Sequence, residues 1–194
     1  MMGVAKVRIK PGKIHFSHPV KTQKMSKRDL KKYLASLTKE QLETQVTELY
    51  EKFPEVKTYY NFVFNPQEEK LVAEAKAKIS NEYFPVKSRR PKLRRSVAQK
   101  YIKHFLTLGV EAHALADLML FTIETAQRYS ARREPKFESF YKSLFTAYGQ
   151  AFQYAVAQGV FAEFRGRFMA IAKEADRQGW EYAEAMGELV ALGD

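Results

Sequence analysis

The chain has 194 residues, no cysteine, 45% hydrophobic residues and a formal net charge of +11. That length makes one domain or two small ones, and it is enough to bury a core without covalent staples. The missing cysteines exclude a disulfide framework, a thiolate nucleophile and any Cys-containing metal site, and no apolar run reaches the roughly 18–20 residues of a membrane span.

Residues 1–24 carry Lys6, Arg8, Lys10, Lys13, Lys21 and Lys24 and no acid. With two prolines, two glycines and scattered apolar residues, they read as a flexible basic arm or extension. Met25-Ser26-Lys27 also looks like a translation start, and a single helical domain is expected over 25–194. His15 and His18 share the arm, but Pro19 and the lack of carboxylates favour a solvated loop over a metal site.

Ser26 is placed to cap a first helix over 27–37, with Leu30, Tyr33, Leu34 and Leu37 on one face. Thr38 and Gln41 have capping-box spacing and open a second helix carrying Leu42, Val46, Leu49, Tyr50 and Phe53, stopped by Pro54. The following stretch is rich in aromatics: Tyr59, Tyr60, Phe62 and Phe64. Tandem tyrosines can stack on bases, but the commoner role of such a cluster is core filling, and that is the expectation here. Asn65-Pro66 then reads as a helix start, with Glu68 and Glu69 in the first turn, and Pro85 ends that helix after Phe84.

The densest charge follows. Lys87, Arg89, Arg90, Lys92, Arg94 and Arg95 crowd a short connector over 86–95, and Pro91 prevents a continuous helix. An extended, solvent-exposed segment is expected. Ser96 and Gln99 have capping-box spacing for the next helix, which carries Lys100, Lys103 and His104 near the connector and ends at Gly109. From residue 86 to 103 there is no acid, and outside this stretch and the arm the chain is net acidic. The basicity is therefore local, as in a polyanion-binding surface.

The second half is more apolar. Periodicity predicts helices over about 111–131, 136–158, 160–178 and 180–192, punctuated by Pro135, Gly159 and Gly179. The whole is an all-α fold of seven to eight helices in antiparallel pairs, either an irregular bundle or a short helical-repeat array, with the basic connector between two helical halves.

The segments SKRDLKKYL, LTKEQL, EVKTYYNFVFNPQEEKL and RRSVAQKYIKHF, and more weakly ADLMLF and ESFYKS, resemble a family of small all-helical bacterial proteins of unknown function, over about residues 25–145. The resemblance implies a helical fold and no particular activity.

No phosphate-binding glycine loop, zinc-protease motif, nucleophile elbow or dinucleotide fingerprint is present. His113 and Asp117 stand at i, i+4, with Glu124 two turns on, but the chain has no Glu-x-x-His, so a local side-chain pair is expected rather than a metal centre, and no cofactor is implied. The expected function is non-enzymatic polyanion binding in the cytoplasm. The ligand would be nucleic acid, RNA or ribosome-associated, held by Lys87, Arg89, Arg90, Lys92, Arg94, Arg95, Lys100 and Lys103. The alternative is a helical scaffold docking on an acidic protein partner.

Overall fold

A computed structural model describes residues 25–87 and 90–193. The basic arm and its two histidines lie outside the described residues, as does Arg89 of the connector. Among the described residues there are nine α-helices and no strand. None is long and apolar enough to cross a membrane. The chain divides into two compact units, Met1–Lys52 and Phe53–Asp194.

The first unit contains α1 (Lys27–Ala35) and α2 (Lys39–Lys52). Ser26 caps α1 as its sequence position suggests: its hydroxyl accepts from the Asp29 amide at 3.2 Å, and the Asp29 carboxylate accepts from the Ser26 amide at 3.3 Å. Thr38 and Gln41 make the equivalent reciprocal pair at the head of α2. Neither helix has a buried residue.

The second unit holds α3 (Pro54–Phe64), α4 (Glu68–Tyr83), α5 (Arg95–Leu108), α6 (Ala112–Ser130), α7 (Glu138–Ala157), α8 (Phe161–Arg177) and α9 (Ala183–Ala191). Pro54 does more than stop α2, because its fixed φ opens α3 at the first turn. The α4 helix starts at Glu68 after Gln67, and Asn65 instead closes α3, so the expected Asn65-Pro66 start is displaced by two residues. The aromatic stretch is helical but is not core filling: α3 buries nothing, Phe64 is 82% exposed, and only Phe62 packs against the core. The reason is packing. Within its unit the one substantial helix contact of α3 is with α5, which leaves none of its residues buried.

Every substantial helix–helix contact in this unit joins helices one or two places apart in the chain. Thus α6 packs on α4 and α8, α5 and α7 pack against α6, α9 packs on α7 and α8, and α3 packs on α5, which is the pattern of stacked helical pairs. The α6 helix is central. It buries residues around most of its circumference, including Leu115, Leu118, Leu120, Ile123 and Gln127, as a helix touched by α4, α5, α7 and α8 must. At the turn into α6, Gly109 takes φ +74 and its amide bonds back to the Phe105 carbonyl, a left-handed C-cap that a side chain would strain.

Buried polar groups are paired throughout the described residues. The Gln127 amide donates to the Ile171 carbonyl at 2.8 Å and so ties α6 to α8. The Tyr148 hydroxyl lies 3.1 Å from both the Phe168 and Met186 carbonyls, which ties α7 to α8 and α9. Burial pushes its phenol pKa upward, out of any physiological range.

Candidate nucleic-acid interface

The connector between α4 and α5 is shaped chiefly by Glu82 of α4, with the Asn81 side chain accepting from the Val86 amide at 3.2 Å. Glu82 is 7% exposed, and its backbone carbonyl accepts from both the Lys92 and Leu93 amides, at 3.0 and 3.1 Å. Its carboxylate accepts two hydrogen bonds from the Arg94 guanidinium, at 2.9 and 2.8 Å. These bonds fold the basic stretch back along α4. Leu93 takes φ +54, a left-handed conformation that costs a branched side chain roughly 1–2 kcal/mol. The paired amides and the contact of Leu93 with the core hold it there. The Arg94 hydrogen bonds hold the Glu82 carboxyl below its ordinary pKa, against the opposing effect of burial.

The cations of the connector separate into three groups. Lys87, Arg90, Lys92 and Arg94 line one groove of about 690 Å³ together with Lys78 of α4. Those five basic groups face a single carboxylate, Glu82. Arg95 is turned inward. Its guanidinium donates to the Ser143 carbonyl and, at 3.4 Å, to Gln150, both on α7, and burial lowers its pKa. Lys100 and Lys103 lie further along α5 and line a different groove, with His104 and with Pro54, Glu55 and Thr58 of α3. The seven described residues of the eight expected to act together thus line separate places rather than one groove.

Ser96 does not cap α5. The helix begins at Arg95, its N-cap is Arg94, and no side chain caps it. The Glu82–Arg94 pair fixes the chain direction two residues earlier than the Ser96–Gln99 spacing suggests.

Sequence reasoning missed Arg132 and Arg133, which follow α6. They line a smaller pocket of about 260 Å³ with Tyr83, Phe84, Pro85, Pro91 and Tyr129. Phe84 and Pro85 also line the basic groove, so the two cavities share a wall. The Arg132 guanidinium sits over the Phe84 ring at 5.6 Å, and Tyr129 meets Phe84 edge-on at 6.1 Å. Burial pushes the Tyr83 phenol up to about 12. The available signal was the Arg-Arg pair a few residues beyond a predicted helix, next to a tyrosine.

The carboxylates considered for a metal are held by cations. Asp117 bonds Lys76 at 2.5 Å and Arg167 at 2.6 Å, and Glu124 takes both remaining arms of Arg167, at 2.9 and 3.0 Å. Burial pushes the Asp117 carboxyl upward, but the hydrogen bonds from Lys76 and Arg167 outweigh it and hold it below its usual value. His113 is not paired with Asp117 as expected. It reaches Glu163 at 3.6 Å and packs on the Phe164 ring. Among the described residues no group of three or more His, Asp or Glu side chains is placed to hold a metal ion.

The fold and groove thus define an all-helical protein of stacked helical pairs with a basic cleft on the α4–α5 connector. The chain belongs to the DUF6155 family, a family of unknown function whose model matches residues 25–191. No curated protein and no solved structure matches it.

Proposed function

We propose that this protein is a non-enzymatic, cytoplasmic polyanion-binding protein whose ligand is nucleic acid, RNA or a ribosome-associated element. The observation that carries this reading is the groove at the connector, where Lys78, Lys87, Arg90, Lys92 and Arg94 surround one carboxylate. That carboxylate is already engaged by Arg94, so the field in the cleft stays strongly positive. Lys87 and Lys92 are exposed, and mobile ammonium groups of this kind contact phosphates without selecting sequence. Arg95 has a structural role in this reading, and Lys100 and Lys103 extend the field from their separate groove.

The test is fluorescence anisotropy with labelled RNA and DNA over a salt series, for the wild type and for Lys87→Glu/Lys92→Glu. The wild type should bind with an affinity that falls steeply with salt, with a log–log slope of about −3 for three to four phosphate contacts. The double reversal should weaken binding at least about tenfold at low salt. Absence of wild-type binding at low salt would refute the reading. In the scaffold alternative the basic connector docks on an acidic protein and the exposed Tyr59, Val63 and Phe64 of α3 add apolar contact. That alternative predicts instead that an acidic protein co-purifies and is lost on substituting those residues.

A further inference from the structure

The pocket beside the groove carries the inference further and rests on the reading just given. We infer that the ligand is single-stranded, and that one of its bases enters the pocket formed by Tyr83, Phe84, Tyr129, Arg132 and Arg133 while the flanking phosphates lie in the connector groove.

Phe84 and Tyr129 are half-buried, so they are held in place yet retain accessible surface. Tyr129 meets Phe84 edge-on at 65° and is tilted at 58° to Tyr83, so no ring lies flat on another. Tyr83 is buried, and the half-buried Phe84 and Tyr129 keep the ring surface that a planar group can meet. One such group is already there: the Arg132 guanidinium lies over Phe84. A nucleobase is the other planar group that both an aromatic face and a guanidinium accept, whatever its identity. The pocket, about 260 Å³, has room for one base. Pro85 and Pro91 stiffen the rim, and Arg133 adds a positive charge there.

The connection to the groove selects the strand type. Phe84 and Pro85 face both cavities, so a base in the pocket would have its own backbone at the edge of the groove lined by Lys87 and Lys92. A duplex keeps its bases paired and stacked inward. It offers phosphates to the groove but nothing flat to the pocket, unless a base is extruded at a cost of a few kcal/mol. The groove alone would not distinguish the two forms, whereas the groove and pocket together do.

The experiment compares labelled oligonucleotides of one sequence, single-stranded and duplex, at one salt concentration, with inorganic polyphosphate as competitor. The wild type should prefer the single strand by about fivefold or more, the lower end of what one stacked base contributes. Polyphosphate should compete less well than the unlabelled single strand. Tyr129→Leu should bring the single-strand affinity down to the duplex value. Arg132→Ala/Arg133→Ala, at two exposed positions, should do the same if the tyrosine variant fails to fold. Equal binding of both forms by the wild type overturns the inference and leaves the polyanion reading standing. A preference that survives both sets of substitutions also overturns it. Binding of neither form refutes both.

Discussion

Two regions of the second unit concentrate charge, and they resolve it in opposite ways. Around Arg167, two cations and two carboxylates from α4, α6 and α8 are matched one to one and half-shielded from water. In the connector groove, five cations face one carboxylate. The first arrangement leaves nothing for a ligand and ties three helices together. The second places more basic than acidic side chains around one cleft among the described residues. Charge density in the sequence does not separate the two cases. What separates them is whether the fold brings an opposite charge within hydrogen-bond reach.

The comparison can be broken most directly at Arg167. Arg167→Ala leaves Asp117 and Glu124 without their guanidinium. A charged hydrogen bond contributes about 1.5–3 kcal/mol, and partial exposure screens it, so a stability loss of roughly 2 kcal/mol is expected. Urea denaturation should show a lower midpoint with an unchanged slope. Glu82→Gln comes next, with a loss of about 1 kcal/mol, because its backbone bonds to Lys92 and Leu93 survive while the ion pair does not. Limited proteolysis should find the connector cut faster in this variant.

Acid should affect the two regions in the same direction. Asp117 and Glu82 both have carboxyl pKa values held below the ordinary range, so the folded state binds these protons more weakly than the unfolded chain does. The stability they contribute is fully present above the unfolded values of about 4. It is lost as pH falls through the folded values. The stability difference between pH 7 and pH 3 should therefore shrink in Arg167→Ala relative to the wild type. The smallest effect belongs to the groove: Lys87→Ala/Lys92→Ala should change the urea midpoint by no more than about 0.5 kcal/mol equivalent, because both side chains are exposed. A loss as large as that of Arg167→Ala would show that the groove cations are structural and end the contrast.

Much of the fold was legible because helix punctuation is local chemistry. Ser26, Thr38, Gly109, Gly159 and Gly179 act where their side chains or their positive φ values predict. The aromatic stretch over 59–64 misled because amphipathic periodicity shows that a helix has an apolar face but not whether another helix covers it. Ser96 misled for a different reason. Its capping spacing to Gln99 is real, but a contact twelve residues away in sequence, Glu82 to Arg94, sets the start of α5. The site was half legible. The cations of the connector were visible, but the inward turn of Arg95 onto α7 and the arrival of Arg132 and Arg133 beside Phe84 are products of tertiary packing, which no local pattern encodes.

Glu82 bonds the connector backbone and supplies the one carboxylate that lines its groove among the described residues, with a consequence for inheritance. In lineages descended from this sequence, positions 82 and 94 should change together, since a lone carboxylate or a lone guanidinium there disturbs the loop. Positions 87 and 92 carry no such bond between their side chains and α4, and they should drift freely between lysine and arginine. Variation at the first pair would report on shape, and variation at the second on the ligand.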